Sequence, residues 1–308
     1  MPRIAYLGPQ GTFTEAALIR MADSAMIPGS GPASGVTPVP TDSTTAALTA
    51  VRCGDADFAC VPIENSIEGS VLPTLDSLAT GTALQIFAEL TLDVAFTIVV
   101  RPGATAADVR TVAAFPVASA QVRRWLAANL ADARLVPAIS NAAAARDVAE
   151  GRADAGVSTA LAAQRYGLAA LASDVVDEPN ARTRFVLVGP PGPPPPSTGA
   201  DRTSVVLELE NVPGALVSAM TELAIRDIDL TRIESRPTRK KLGTYIFFLD
   251  CVGHIDDDAV AEALKALHRR CADVRYLGSW PTGSAAGAVP PHLDEAAHWL
   301  TRLREGRA

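Results

Sequence analysis

The sequence predicts two α/β domains in series, a larger two-lobed domain and a smaller ferredoxin-like domain of the βαββαβ type. The chain has 308 residues, of which 48% are hydrophobic, and this is enough apolar material for two cores. Short β-like runs alternate with helical patterns over residues 1–188, and a compact second series follows a proline-rich stretch.

In residues 1–188, the strand-like runs RIAYLG, TPVP and FACVPI precede the helical segments TEAALIRMA, STTAALTAVRCG and VLPTLDSLAT. The β-rich stretch LQIFAELTLDVAFTIVVRPG leads on to VRTVAAF, ASAQVRRWLAANLA, RLVPAIS, NAAAARDVAEG, DAGVS, TALAAQRYG and the closing strand TRFVLVG. This order predicts two lobes with mainly parallel strands, joined by strands that cross between them. Such proteins bind ligands in the cleft between the lobes.

Residues 189–202, GPPGPPPPSTGADR, are expected to form a linker, because proline fixes φ and donates no backbone hydrogen bond. Residues 203–281 then read TSVVLELE, GALVSAMTELAIRD, LTRIESRP, GTYIFFLDCVG, DDAVAEALKALHRRC and VRYLGSWP, which is a βαββαβ order. In the tail, 282–308, HLDEAAHWLTRLREG predicts a short amphipathic helix.

The charge pattern favours a small-molecule partner. The net charge of -7 comes from interspersed acids and bases without a basic block, so nucleic acid and anionic membrane are not expected partners. No apolar run approaches the ~18 residues of a membrane span, and MPRIAYLG lacks a signal-peptide pattern, so a cytosolic location is expected.

Cysteine and histidine usage restricts the chemistry. The four cysteines are scattered and form no CxxC pair, which favours free thiols over a disulfide scaffold. All four histidines lie after residue 253, so a reaction in the first domain must proceed without a histidine base. A zinc or iron site there would also lack its commonest ligand, and no metal is expected.

The segment LGPQGTFTEAA is a strand, a glycine turn and a helix start. Gly8 and Gly11 allow an anion to approach the free N–H groups of the helix, with Thr12 or Thr14 as N-cap. A strand-to-helix turn without a ligand is the alternative, and the spacing matches neither a dinucleotide-binding motif nor a P-loop.

The stretch CVPIENSIEGSV raises the same choice at the end of another predicted strand. Glu64, Asn65 and Ser66 lie where ligand-binding side chains of α/β sheets usually lie. The alternative is that Asn65 and Ser66 cap the following helix and that Glu64 is solvated.

A third candidate, NARTRF, places a threonine between two arginines before the closing strand. Arg182 or Arg184 could bind a substrate carboxylate bidentately, with Thr183 as a small donor and acceptor between them. The alternative is the basic edge of a strand.

Taken in order, the motifs GPQGTFT, PIENSIEGSV with TLDSL, TRF, NVPGALV and IESRP resemble those of the prephenate dehydratases over about residues 3–281. The resemblance implies a periplasmic-binding-protein-like, two-lobed catalytic domain. It also implies conversion of prephenate to phenylpyruvate with loss of water and carbon dioxide, in phenylalanine biosynthesis, without a cofactor.

The resemblance assigns roles to individual residues. Thr183 would hydrogen-bond or protonate the departing hydroxyl, with a relay through Glu64 or a water, since a threonine hydroxyl is a poor acid. Asn65, Ser66 and Gln121 would hydrogen-bond the substrate. The expected substrate-binding residues are Arg184 as carboxylate clamp, Phe185 as a wall of the site, and Thr12 and Gly11 for the second carboxylate.

The sequence departs from the family pattern at three places, one of which is the alanine that intervenes in NARTRF, Ala181, to which no role is assigned. In AFPVASAQ, Ala114 and Phe115 stand where the family often has Ser and His, whereas Pro116 and Gln121 remain. Asn141 stands where threonine is usual, and no role is assigned to it.

The second domain resembles an ACT domain, a module that binds amino acids, often between two copies. The resemblance implies feedback inhibition by phenylalanine and a homo-oligomer, a dimer or a tetramer. The expected phenylalanine-site residues are Asn211, Pro213, Gly214, Ala215, Leu216, Val217, Glu234, Ser235, Arg236 and Pro237. A degenerate module kept for dimerisation is the alternative.

Two other functions stay open at this point. An arogenate dehydratase runs the same elimination on the amino analogue of prephenate, and an acidic group beside the side-chain pocket would favour it; Glu64 does not settle this. A non-catalytic, amino-acid-sensing binding protein is the alternative from another class, although an intact Thr-Arg-Phe motif speaks against it.

Overall fold

The computed structural model describes residues 1–29, 35–178, 180–238, 243–283 and 294–307. They form two compact units, one of residues 1–77 and 90–189 and the other of residues 78–89 and 190–308. The predicted domains had assigned residues 78–89 to the first domain. Within the described ranges, no helix combines the length and apolar character that a membrane span needs.

The elements of the larger unit follow the predicted alternation of strands and helices. In chain order they are β1 (Arg3–Leu7), α1 (Phe13–Asp23), β2 (Thr37–Thr41), α2 (Thr44–Cys53), β3 (Phe58–Asn65), β4 (Gly69–Ser70), α3 (Leu72–Ala79), β5 (Gln85–Asp93), β6 (Phe96–Val100), β7 (Thr111–Ala114), α4 (Pro116–Gln121), α5 (Arg123–Asn129), β8 (Arg134–Pro137), α6 (Asn141–Ala149), β9 (Ala155–Ser158), α7 (Ala160–Arg165), β10 (Ala169–Val175) and β11 (Arg182–Gly189).

Two mixed sheets make the two lobes. The first sheet has the order β2-β1-β3-β11-β5, with β4 beside β3, and the second has the order β10-β6-β9-β7-β8. β1 runs parallel to β2 and β3, and β7 runs parallel to β8 and β9. Near the crossings, β6 is antiparallel to β10 and β9, and β11 is antiparallel to β3. The expected parallel arrangement therefore holds for three strands in each of these two sheets.

The chain crosses between the lobes twice, from β5 to β6 and from β10 back to β11, as predicted. The two connections run side by side, because the Val94 N–H donates to the Ala181 carbonyl at 2.7 Å. Arg182 Nε also donates to Asp93 Oδ1 at 2.8 Å. We call residues 93–95 and 180–182 the hinge.

Two details of the second lobe differ from the prediction. The helical stretch ASAQVRRWLAANLA is two helices, because Val122 leaves the helical region at φ -125° and separates α4 from α5. The strand β10 was not predicted. It is alanine-rich and half-exposed, so it shows neither a continuous apolar run nor a clear alternation.

The smaller unit contains β12 (Asp201–Glu208), α8 (Ala215–Ala224), β13 (Leu230–Pro237), β14 (Tyr245–Val252), α9 (Asp258–Arg270) and β15 (Asp273–Pro281). Its antiparallel sheet has the order β13-β14-β12-β15, which confirms the ferredoxin-like prediction. Leu207, Leu223, Leu249, Ala263 and Leu267 are the centre of its core.

Residues 78–89 are tied to this smaller unit by a buried polar cluster. Arg202 donates to both carboxylate oxygens of Glu89, at 2.7 and 3.1 Å, and Trp280 Nε1 donates to Glu89 at 3.0 Å. A Cβ atom on Gly278 would lie 2.3 Å from the Ile86 carbonyl oxygen, so this contact requires glycine.

The predicted linker contains neither helix nor strand from residue 190 to residue 200, but it is anchored along its length. The Gly192 N–H donates to Gln85 Oε1 at 3.2 Å, and His254 Nε2 lies 2.9 Å from the Pro195 carbonyl oxygen. In the predicted tail, α10 spans Asp294–Arg304, and residues 284–293 lie outside the described residues.

Candidate active site

Three of the predicted site segments meet at one edge of the first sheet. β1 and β3 are parallel, so the segments that follow them, including Gly11 and Asn65, leave the sheet at the same edge. β11 runs the opposite way and begins there, which places Thr183 directly opposite Asn65 in the register. Opposite residues of an antiparallel pair point to the same face.

Asn65 and Thr183 form a direct hydrogen bond, with Asn65 Nδ2 donating to Thr183 Oγ1 at 2.9 Å. The orientation of the amide is fixed, because Asn65 Oδ1 accepts the N–H groups of Ile67 and Glu68 at 2.8 and 3.0 Å. Thr183 Oγ1 therefore acts as acceptor toward Asn65, and its own proton is left for a different acceptor.

Ser66 joins the end of β3 to the start of β11. Its Oγ accepts the Arg182 N–H at 2.8 Å and donates to the Asn180 carbonyl at 3.3 Å, while its own N–H donates to the Arg182 carbonyl at 2.8 Å. These contacts hold the Asn65–Thr183 pair in register. Neither Asn65 nor Ser66 caps a helix, since α3 begins later, at Leu72.

Arg184 and Glu64 are the next opposite pair in the register, so the strand pleat directs them to the other face from Thr183 and Asn65. Arg184 Nε lies 3.6 Å from Glu64 Oε2, and the Arg184 side chain is 10% exposed, against 41% for Glu64. This geometry favours an Arg184–Glu64 ion pair and gives no support to a proton relay from Glu64 to Thr183.

Phe185 and Gln121 are both buried. Phe185 is part of the core, at 2% exposure. Gln121 ends α4 in the second lobe, and its backbone carbonyl accepts the Asp177 N–H at 2.7 Å, near the hinge. Among the described residues no donor faces Gln121 Oε1, although a buried amide oxygen normally has a partner.

At the other predicted anion cradle, the polar groups have partners inside the protein. Thr12 is the N-cap of α1: its Oγ1 accepts the Glu15 N–H at 3.3 Å and donates to the Leu7 carbonyl at 3.0 Å. The Gly11 N–H donates to Glu15 Oε2 at 2.5 Å. A role of Gly11 and Thr12 toward a substrate carboxylate stays a prediction.

Glu15 is a buried residue of this region that is not among the predicted site residues, although the sequence contains a pattern that indicates its position. Thr12 and Glu15 have the T-x-x-E spacing of a capping box, which predicts a glutamate that turns back toward the helix start. In the structure Glu15 is 2% exposed and Arg165 NH2 donates to it at 2.5 Å from the other lobe. Burial and the neighbouring Glu15 carboxylate raise the pKa of the Tyr6 phenol.

The predicted phenylalanine-site residues divide into three groups in the smaller unit: residues 213–215 at a cavity, residues 234–237 on β13, and Asn211, Leu216 and Val217, which are not among the residues that line the cavity. A cavity of about 280 Å³ is lined by Pro213, Gly214 and Ala215 together with Glu210, Ser218 and Arg270. Gly214 has φ +80° and precedes α8 without a side-chain cap, so glycine is favoured there. Residues 234–237 belong to the edge strand β13 and do not line this cavity.

The described histidine, cysteine, aspartate and glutamate residues form no cluster of three or more that could hold a metal ion. Cys60 and Cys251 are buried, which raises the pKa of each thiol to about 12. Neither thiol is therefore a nucleophile at neutral pH.

Comparison with known proteins gives a consistent result over the whole chain. Residues 4–192 match the family model described as prephenate dehydratase, and residues 203–269 match the ACT domain. A curated relative from Mycolicibacterium vanbaalenii, "Prephenate dehydratase", is 77% identical, and the alignment covers 100% of both chains.

Two solved structures have a similar fold, and their alignments cover most of this chain. Prephenate dehydratase from Arthrobacter aurescens in complex with L-Phe is 41% identical, has a TM-score of 0.86, and covers 98% of this chain and 99% of its own. GqqA, described as a novel type of quorum quenching acylase, is 30% identical, with a TM-score of 0.78, covering 91% of this chain and 97% of its own.

Proposed function

Because this chain belongs to the prephenate dehydratase family, we propose that Thr183 and Asn65 are the centre of an active site that converts prephenate to phenylpyruvate. The enzyme is a carbon–oxygen lyase of phenylalanine biosynthesis. The observation that carries the site assignment is the Asn65–Thr183 hydrogen bond at 2.9 Å, at the sheet edge where three motifs meet.

The reaction breaks two bonds of the prephenate ring. The bond to the ring carboxylate breaks and releases carbon dioxide, and its electron pair enters the ring. The bond to the ring hydroxyl breaks, and the hydroxyl leaves as water after taking up one proton. Aromatisation supplies much of the driving force, so the protein has to position the substrate and stabilise the leaving oxygen.

Thr183 is suited to the leaving oxygen. Asn65 Nδ2 occupies one lone pair of Thr183 Oγ1, so the threonine O–H is directed away from Asn65 and toward the substrate hydroxyl. A hydrogen bond from a positioned donor stabilises the charge that develops on that oxygen. The proton itself comes from water, because a threonine hydroxyl is too weak an acid to supply it alone.

Gln121 contributes from the second lobe. Its buried Oε1 faces no donor among the described residues, and leaving such an oxygen unpaired costs free energy. A donor on the substrate, such as its hydroxyl, would satisfy it. Ser66 supports the site by holding β3 and β11 together, and Phe185 supports it from the core.

The expected role of Arg184 is a carboxylate clamp, but its strand position directs it to the other face from Thr183, so the role proposed for it is to attract the dianionic substrate by its charge. Its side chain is nine-tenths buried, and charges act more strongly where water is excluded. Glu64, at 3.6 Å, partly balances that charge. We assign the second carboxylate to the helix start at Thr12, where α1 presents the positive end of its dipole.

Phenylalanine regulation is proposed for the ACT unit, on the similarity to a structure that contains L-Phe and on the cavity at Gly214. The second group of predicted residues, 234–237, lies on an edge strand that also exposes Ile233. In a homo-oligomer, a second copy of the chain would bring its own residues 234–237 to the cavity, and we therefore propose a homo-oligomer. A cytoplasmic location is proposed separately.

The acylase described among the structural neighbours defines an alternative for the same fold. An acylase that used Thr183 as its nucleophile would need an adjacent base. All histidines of this chain lie after residue 253, and Glu64 is directed to the other face from Thr183. The geometry therefore favours elimination over acyl transfer. Arogenate is a substrate to compare with prephenate, because no contact among the described residues selects the ketone of prephenate over the ammonium group of arogenate.

The test of the function is an assay of the purified protein with prephenate and with arogenate. We expect phenylpyruvate from prephenate, read by its absorbance in alkali, and a lower kcat/KM for arogenate. No product from either substrate would refute the dehydratase assignment.

The test of the site is Thr183→Ala beside Thr183→Ser. Loss of the hydroxyl should lower kcat by about 10²-fold or more with an unchanged unfolding midpoint, and serine should retain part of the activity because it keeps the donor. An alanine variant with wild-type kcat would remove Thr183 from the mechanism.

A further inference from the structure

The segment from Gln10 to Glu15, which we call the latch segment, has contacts that the proposed chemistry does not use. It connects β1 to α1 and belongs to the first lobe. Yet its polar groups and one of its aromatic rings contact the second lobe, at a place separate in sequence from the hinge.

Three kinds of contact cross between the lobes here. Thr159 Oγ1 donates to the Gly11 carbonyl at 2.6 Å. A Cβ atom on Gly11 would lie 2.9 Å from the Ala162 Cβ, so the backbone of the latch segment approaches α7 closely. The rings of Phe13 and Phe96 meet edge to face, with centroids 5.7 Å apart.

The fourth contact is ionic. Glu15 is 2% exposed and has two partners, the Gly11 N–H from its own lobe and Arg165 from the second lobe, each at 2.5 Å. A carboxylate buried to this degree needs a cation nearby, because desolvation of an unpaired charge is costly. Any movement of α7 away from α1 would remove that cation.

We propose that Glu15 is a positioning residue for the dehydration. Through Arg165 it holds the two lobes at the spacing at which Asn65 and Thr183 of the first lobe and Gln121 of the second lobe bind one substrate molecule. The proposal rests on the proposed function for its kinetic consequence. Its structural consequence, a defined distance between the lobes, can be measured without any substrate.

The kinetic test compares Arg165→Met with the double variant Glu15→Gln, Arg165→Met. The single variant leaves a buried carboxylate without its cation, so its Tm should fall and its KM for prephenate should rise about tenfold. At saturating prephenate its kcat should stay within about twofold, because only the fraction of molecules with correctly spaced lobes is reduced. The double variant also removes the buried charge, so its Tm should recover.

Measuring both KM and Tm in the two variants separates an effect on positioning from an effect on folding stability. If Glu15 and Arg165 set the lobe spacing, KM stays raised in the double variant although its Tm has recovered. If KM returns together with Tm, or if Arg165→Met leaves KM unchanged, the proposal is wrong. Asp57→Asn is the matched control, because it removes a carboxylate that pairs with Arg3 at 3.2 Å within the first lobe, and it should leave KM unchanged.

The distance test uses spin labels on the two lobes of the full chain. Cys53 is exposed on α2, and Ala128→Cys supplies an exposed site on α5. Cys60 and Cys251 are buried with pKa values of about 12 and should not react, and Cys271→Ser removes the remaining thiol.

In this background, Arg165→Met should broaden the distance distribution between the two labels, and Asp57→Asn should not. An unchanged distribution in Arg165→Met would overturn the proposal even if the enzyme is fully active. If the wild-type protein does not act on prephenate, the proposed function fails, and the distance measurement still decides whether the latch exists.

Discussion

At the scale of single residues, the side-chain amide of Asn65 has two structural roles, one for its oxygen and one for its nitrogen. The oxygen closes the turn after β3 by accepting two backbone N–H groups, and the nitrogen sets the donor direction of Thr183. Because both ends are engaged, the amide cannot rotate without losing hydrogen bonds. The turn and the Thr183 hydroxyl are therefore fixed by one side chain.

This predicts an unequal effect of two changes at Asn65. Asn65→Asp keeps an oxygen for the turn but replaces the donor to Thr183 with an acceptor, so the threonine proton should turn toward the carboxylate. We expect kcat to fall about 10²-fold with little change in Tm. Asn65→Ala should lower both, since the turn loses its acceptor as well.

Steady-state kinetics and thermal unfolding on the same preparations check this pair. Equal loss of Tm in the two variants would mean that the amide oxygen does not support the turn. Wild-type kcat in Asn65→Asp would mean that the orientation of Thr183 does not matter for the reaction.

At the scale of helices and strands, the sequence was most informative where the apolar runs were continuous. β1, β3 and β11 are largely buried strands with apolar runs, and the first two helices, α1 and α2, begin at side-chain caps, Thr12 and Ser43. The sequence could not predict which residues distant along the chain would contact one another. The register that faces Asn65 to Thr183 joins residues 118 positions apart, and the Glu15–Arg165 pair joins residues 150 positions apart.

The start of β7 gives a prediction about pH. Asp154 Oδ2 accepts the Thr111 hydroxyl at 2.8 Å and two backbone N–H groups at 2.9 and 3.1 Å, and the Thr111 hydroxyl contributes most to lowering its pKa below the usual 3.8. A lowered pKa in the folded state stabilises the fold above pH 3.8, and that stabilisation is lost as the pH falls further.

Asp154→Asn should therefore have a lower Tm than wild type at pH 7, and the difference should shrink as the pH falls below 3.8. Thermal unfolding across this range measures it. Asp132→Asn, at an exposed position, is the control and should follow wild type at every pH. A Tm difference for Asp154→Asn that does not depend on pH would show that its charge is not involved.

The start of α8 gives a prediction about regulation. Gly214 has φ +80°, and no atom lies within 4 Å of the position that a Cβ would take, so a larger residue has room but not the right backbone. Valine in this left-handed conformation would be strained by about 1–2 kcal/mol. The backbone at the cavity should shift to relieve that strain. We expect Gly214→Val to weaken phenylalanine inhibition at least tenfold, with kcat within about twofold of wild type.

The control for this variant is Gly199→Val, at a glycine with φ +78° and equally open surroundings in the segment 190–200. It should leave inhibition unchanged. If Gly214→Val lost activity and inhibition to the same extent, the cavity would act on assembly and not on effector binding.

At the scale of the whole molecule, the two compact units are not consecutive pieces of the chain. Residues 78–89 belong to the C-terminal unit, although the sequence places them between α3 and the middle of β5. No composition shift marks that stretch. The proline-rich segment marked the later boundary only, which is why the predicted domains treated residues 1–188 as one piece.

Removal of the C-terminal unit should therefore harm what remains. A protein ending at residue 189 would expose Ile86, Phe87 and Ala88, which are at most 8% exposed in the full chain. Each large apolar side chain contributes about 1.5–3 kcal/mol when buried. We expect a lower unfolding midpoint and aggregation, measured by thermal unfolding and light scattering.

Polar replacements of Ile86 and Phe87 in the shortened protein should restore its solubility but not its full stability. A shortened protein that unfolds at the same midpoint as the full chain would show that the contacts between residues 78–89 and the region after residue 189 do not stabilise the remaining protein.

The shared strand β5 has a practical consequence for protein engineering. A chimera that exchanges the amino-acid-binding module at the proline-rich junction alone would carry over a strand half matched to the old module, including the carboxylate of Glu89 without its arginine. A successful graft would have to transplant two pieces, residues 78–89 and the region after 189, and the two would have to come from the same donor.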